Sequence, residues 1–208
     1  MKKAGIVILS LFLVLIIGQA AFAKNSLSLT VGGLGITDFN EIIVGFEGEV
    51  SANIYLTNNF SLSAGASIHA FKPDSAFLYQ LGIDFFAKYD VFKTNTVDFG
   101  LQLGLINNKP LGAALNCLFL AGGLYTNIYV TPKVNLYADL KLPFGVFVLE
   151  YSSFFKLFFY NVKFGAAFEI SPKIDLGIEC NVNNTSAFVF ASPKLFEFTV
   201  GAKLGYKF

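Results

Sequence analysis

The chain has 208 residues, 54% of them hydrophobic and only 14% charged, against about 25% charged residues in ordinary soluble domains. It contains no arginine and carries a net charge of +1, so it lacks both the bidentate phosphate fork and the basic field of a nucleic-acid-binding surface. Its two cysteines, Cys117 and Cys180, are too few for a disulfide framework and read as small apolar residues, one facing inward and one outward.

Residues 1–23 read as a secretory leader. Lys2 and Lys3 give the positive start, Ala4 to Ile17 the apolar stretch, and Ala21-Phe22-Ala23 a small-x-small cleavage site. The remainder, 24–208, reads as one domain. Without Lys2 and Lys3, the 15 lysines fall to 13 against 14 acids, a charge near −1.

From Lys24 onward the chain repeats. Short polar turns occur at Thr57-Asn58-Asn59, Lys93-Thr94-Asn95, Thr131-Pro132-Lys133 and Ser171-Pro172-Lys173. Their centres, at 58, 94, 132 and 172, lie 36, 38 and 40 residues apart. Each interval holds two membrane-length strands and one further loop. The six prolines, at 73, 110, 132, 143, 172 and 193, are placed in turns or loops, because a ladder cannot use their missing N–H. The strands expected are 26–37, 42–57, 60–71, 77–92, 96–107, 114–131, 134–142, 158–171, 174–183 and 195–208. The fold class is therefore all-β, an antiparallel up-and-down transmembrane barrel of ten strands, with eight as the alternative if the first hairpin is irregular. A soluble sandwich is disfavoured, because no polar edge strand ends a sheet. Pro110 to Pro132 is uncharged and long enough for a membrane helix, but Asn116, Gly122, Gly123, Thr126 and Asn127 interrupt it.

The pattern is clearest at the C-terminus. Phe196, Phe198, Val200, Ala202, Leu204, Tyr206 and Phe208 alternate with Glu197, Thr199, Gly201, Lys203, Gly205 and Lys207. Successive strand side chains face opposite ways, so one face is apolar and the other polar or glycine. This stretch resembles the last strand of small bacterial outer-membrane β-barrel proteins, in which a terminal Phe and an aromatic two residues earlier help the assembly machinery recognise its client. Tyr206 and Phe208 take those places; Lys203 stands where the family usually has glycine. The resemblance implies a monomer in the outer membrane, with lipid and the barrel-assembly machinery as partners and no cofactor.

The same alternation sorts the other strands. Val44, Phe46, Val50, Ile54, Leu56, Phe99, Leu101, Leu103, Leu105, Val162, Phe164, Phe168 and Ile170 fall on the lipid face. The charges fall on the other: Glu47, Glu49, Asp84, Lys88, Asp90, Asp98, Asp139, Lys141, Lys163, Glu169, Asp175, Glu179, Glu197, Lys203 and Lys207. A lysine at mid-depth on the lipid face costs about 2–4 kcal/mol, so this parity is selected. The inner set reads as a salt-bridged lumen, or as a narrow water path preferring cations through its acidic excess. Inner glycines, from Gly45 to Gly205, are expected to serve curvature.

Three further features are weighed. His69, with Ser67 two residues before it on the same face, is a catalytic candidate for acyl transfer. Lipid-modifying barrels and ten-stranded outer-membrane proteases similarly use a His near the outer rim, yet no acid or oxyanion donor can be assigned to His69 from sequence. No His and Cys spacing fits a metal, and Gly32-Gly33-Leu34-Gly35 lacks the helix and lysine of a phosphate loop. The apolar loop 143–157, with Phe144, Val146, Phe147, Val148, Leu149, Tyr151, Phe154 and Phe155, is read as strand extension or as a patch for apolar molecules. The leading function expected is a non-enzymatic barrel, structural or passing small solutes. The alternatives are a lipid-modifying enzyme centred on His69 and a carrier of apolar molecules.

Overall fold

A computed structural model describes residues 25–37, 42–72, 77–111, 117–148, 160–185 and 196–208. The leader expected at 1–23 lies outside them. Ten strands follow in order: β1 Ser26–Thr37, β2 Ile42–Tyr55, β3 Phe60–Phe71, β4 Leu78–Lys93, β5 Val97–Pro110, β6 Cys117–Thr131, β7 Val134–Val148, β8 Asn161–Ser171, β9 Ile174–Asn183 and β10 Phe196–Lys207. Each pairs antiparallel with its sequence neighbours, and β1 pairs with β10 to close the barrel. Closure removes every sheet edge, so all ladder groups find partners without water. The ten-strand reading therefore holds over the eight-strand one.

The four polar turns lie at one end, and they share a device. Each has Thr or Ser before the bend, whose hydroxyl oxygen accepts a backbone N–H two residues on. Thr57 accepts from Asn59 and Phe60 at 3.3 and 3.0 Å, and Thr94 from Thr96 and Val97 at 3.3 and 2.9 Å. Thr131 accepts from Lys133 at 3.2 Å and Ser171 from Lys173 at 3.4 Å. These local bonds hold the bend while the strands leave antiparallel.

Two sequence expectations need correction. Prolines are not confined to turns and loops: Pro110 closes β5 and Pro143 lies inside β7. Pro143 is tolerated because the β6–β7 register shifts there, Leu120 facing Gly145 while Ala121 faces Pro143, and because the β7–β8 ladder ends at Lys141. Consequently β7 runs to Val148 rather than stopping at 142, and over 143–148 the strand-extension reading of the apolar stretch 143–157 holds. Residues 149–157 lie outside the described set. Phe144 points outward, 64% exposed.

The glycines also do more than bend the sheet. Gly100 sits directly opposite Tyr125, and a Cβ on it would lie 2.4 Å from the phenol ring carbon. Gly165 faces Tyr137 in the same way, 2.7 Å from its ring carbon. Each glycine is a notch that lets a neighbouring tyrosine lie flat along the lumen wall.

Outside, the apolar band is as alternation requires, with Val44 68%, Ile83 58%, Leu103 56% and Val200 53% exposed. Cys180 is half-buried on the same outer parity. Inside, toward the turns, the lining is charged. Toward the opposite end it becomes apolar: Leu34, Ile36 and Phe71 from β1 and β3 form a buried cluster against Ile43, and Ile106 and Phe119 are buried on β5 and β6.

Candidate functional site

The lumen contains two adjacent spaces. A vestibule of about 660 Å³ is open toward the turns, where Thr94, Thr131, Pro132 and Lys133 line it. A cavity of about 50 Å³ lies above it, lined by Glu47, Ser67, His69, Gln80, Asn108 and Asn183 among others. Glu49, Asp84, Lys141 and Lys163 line both. These four form two ion pairs between distant strands: Lys163 Nζ to Glu49 Oε2 at 2.8 Å and Lys141 Nζ to Asp84 Oδ2 at 2.5 Å. They make a belt between the two spaces.

Further inner charges are tied together below the belt. Lys163 also reaches Glu179 Oε1 at 3.3 Å, and Lys203 reaches Glu179 Oε2 at 3.0 Å. Lys88 pairs with Asp139 at 3.1 Å, and Gln102 donates to the other oxygen of Asp139. Lys207 holds Glu169 at 3.0 Å and Asp175 at 2.9 Å. The lumen charges predicted from alternation are thus brought onto one inner surface. Three tyrosines join them: Tyr125 donates to Asp90 at 2.6 Å, Tyr129 to Asp98 at 2.8 Å and Tyr137 to Glu179 at 2.7 Å. Their parity matched the charges, a signal that could have found them.

One lysine was missed for a definite reason. The β4–β5 register shifts between Asp90 and Phe92, which returns Lys93 to the inner face. Its ammonium meets Asp90 at 2.6 Å and lies 5.3 Å over the Tyr55 ring. Seven lysines and seven carboxylates line the vestibule. The acidic excess read from sequence therefore does not reside there.

It resides around His69, which is 6% exposed. Nδ1 faces Glu197 Oε1 at 3.0 Å, and Nε2 faces Ser67 Oγ at 3.1 Å and Glu47 Oε1 at 3.6 Å. Asn183 donates to Glu197 at 3.0 Å. The acid that sequence could not assign thus arrives from β10, with a second from the directly opposite position on β2. Ser67, His69 and Glu197 stand in the order of a nucleophile, base and orienting acid. The backbone around Ser67 is committed to ladders with Glu49 and Gly82, so it offers no ready oxyanion pocket. Among the described residues no group of three His, Cys, Asp or Glu could hold a metal.

At the seam, Tyr206 and Phe208 have ring centroids 5.8 Å apart, and the Phe208 N–H donates to Asn25 O at 3.0 Å. Tyr206 is 43% exposed on the outer face.

Several solved bacterial structures share this fold. The Escherichia coli outer-membrane protease OmpT superposes with a TM-score of 0.62 at 11% identity, covering 89% of this chain and 97% of its own. An outer-membrane channel from Pseudomonas putida F1 gives 0.54 at 10% identity, covering 91% of this chain and 97% of its own. The chain has the fold of the bacterial outer-membrane β-barrels. The translocator domain of the autotransporter NalP from Neisseria meningitidis matches at 0.52 and 12% identity, covering 100% of this chain and 97% of its own. No family model and no curated protein matches the sequence. A protease, a channel and a translocator share one barrel, so function has to be argued from the lumen.

Proposed function

We propose that this barrel sits in the bacterial outer membrane as a non-enzymatic component that admits small polar solutes, cations preferentially, along a narrow lumen. The exposed apolar band and the shared fold support that location. One observation carries the passage reading: the vestibule and the upper cavity share Glu49, Asp84, Lys141 and Lys163, so the polar lining is continuous from the turn end to the apolar cap. Charge rings at a constriction govern ion selection. Here the upper cavity brings Glu47 and Glu197 to either side of His69, at 3.6 and 3.0 Å, whereas lysines and carboxylates are equal in number along the vestibule below.

The mature chain, refolded in detergent and checked by its heat-dependent gel shift, is expected to give small, steady, cation-selective steps in planar bilayers. Glu47→Gln should reduce the preference for cations over anions. A folded barrel that never conducts, even with its cap trimmed, rejects the passage reading.

A second reading rests on the Ser67–His69–Glu197 relay, which suits acyl transfer to Ser67 Oγ. It requires a serine-reactive phosphonate to modify Ser67 and His69→Ala to abolish that modification. An unmodified Ser67 at reagent excess eliminates this reading.

A further inference from the structure

Six of the seven carboxylates that line the vestibule are ion-paired with lysine among the described residues: Glu49, Asp84, Asp139, Glu169, Asp175 and Glu179. Asp98 is the exception. It is 5% exposed, and Oδ2 accepts the Tyr129 hydroxyl at 2.8 Å. Oδ1, beside the vestibule, has no donor among the described residues. The neighbouring lysine in register, Lys93, turns instead to Asp90.

The surroundings of Asp98 offer acceptors. Its register partner on β6 is Asn127, whose Oδ1 accepts Asn135 Nδ2 at 3.3 Å. That leaves Asn135 Oδ1, buried as well, without a donor. Tyr129 stands directly opposite Asn135. A buried, unpaired carboxylate oxygen is costly unless a cationic or strong donor meets it. With the Lys93 ammonium on Asp90, this patch leaves a carboxylate and an amide oxygen without donors among the described residues.

We propose that Asp98, Asn135 and Tyr129 form a binding site for a primary alkylammonium group entering the vestibule from the turn end. The proposal deepens the cation reading above by naming the solute class. An ammonium presents three N–H donors, which suit Asp98 Oδ1 and Asn135 Oδ1. Its charge gains further from an aromatic face. This wall already receives such groups from the chain itself: Lys93 lies 5.3 Å over Tyr55, Lys88 5.1 Å over Tyr125 and Lys203 4.4 Å over Tyr137. A divalent metal is a poorer occupant, because among the described residues no third acid joins Asp98 and Asp90.

The chain has nine tyrosines and no tryptophan, and four of them, Tyr55, Tyr125, Tyr129 and Tyr137, line the vestibule, so the part of the tyrosine emission that Tyr129→Leu removes reports this wall. Titration with methylammonium or putrescine should change that emission saturably, while sodium at equal ionic strength should not. Tetramethylammonium, which has charge but no N–H, should bind more weakly. Asp98→Asn should weaken methylammonium binding at least about tenfold, the effect of losing one charged hydrogen bond. If Asp98→Asn lacks the heat-dependent gel shift, Tyr129→Leu takes its place with a severalfold loss expected. Unchanged affinity in a folded variant, or equal responses to all four salts, overturns the site. Conductance is a separate readout: saturable binding in a silent barrel keeps the site and removes passage, and passage without saturation does the reverse.

Discussion

Phe71→Ala is expected to raise the single-channel conductance of the refolded barrel severalfold over wild type. Phe71 is 2% exposed and packs with Leu34 and Ile36 in the apolar cluster at the end away from the turns. Directly beneath it, two residues along β3, is His69 in the small polar cavity. An apolar constriction excludes ions because water inside it cannot be replaced by ligand contacts, so it gates by dewetting. Removing the ring widens and wets that layer. The substitution also carries a stability cost of about 3–5 kcal/mol, the usual range for a buried Phe→Ala. Ile36→Ala, a smaller deletion in the same cluster, should move conductance in the same direction with less loss. Bilayer recordings of both variants, each shown folded by gel shift, check this. Conductance equal to wild type in both would place the constriction elsewhere.

Lys163→Met should cost about 3 kcal/mol of barrel stability in urea unfolding from lipid vesicles, because removing one partner of a buried pair strands the other charge. Lys163 is the ionic partner of Glu49, at 2.8 Å, and one of two for Glu179. Its loss strands Glu49, while Asp84 keeps Lys141 at 2.5 Å and Glu179 keeps Lys203 at 3.0 Å. The double change Glu49→Gln with Lys163→Met should recover part of that loss, since no charge is then stranded. Losses that simply add across the two sites would mean that the belt is not a coupled unit. The double variant also removes one of the two ion pairs between the vestibule and the upper cavity, so it should conduct more than either parent.

Some of this was legible in the chain. The strand count and most strand limits followed from turn spacing. The same parity that put Val44 and Leu103 outside put Glu49 and Asp139 inside. Prediction failed at β7, where Pro143 was read as a loop signal. A proline breaks a ladder only where its N–H is needed, and Pro143 lies at a bulge past the end of the β7–β8 pairing. Lys93 was missed for a related reason. A bulge inserts one residue and reverses parity, and no residue type marks its position in advance.

Sequence by itself determined the architecture and the two faces, because a period of two and the cost of charge in lipid are local constraints that each strand obeys alone. Adjacent-strand contacts such as Glu47 beside His69 need only the register of one hairpin. Tertiary structure alone decided which charges meet across the lumen. Lys163 reaches Glu49 over 114 residues and His69 reaches Glu197 from β3 to β10. Those pairings depend on how barrel closure sets opposite walls in height, and that offset is a property of all ten strands together. Asp98 acquires its distinction in the same way: Lys93 stands opposite it in register, and only the assembled wall turns that ammonium to Asp90, leaving Asp98 without an ion pair among the described residues.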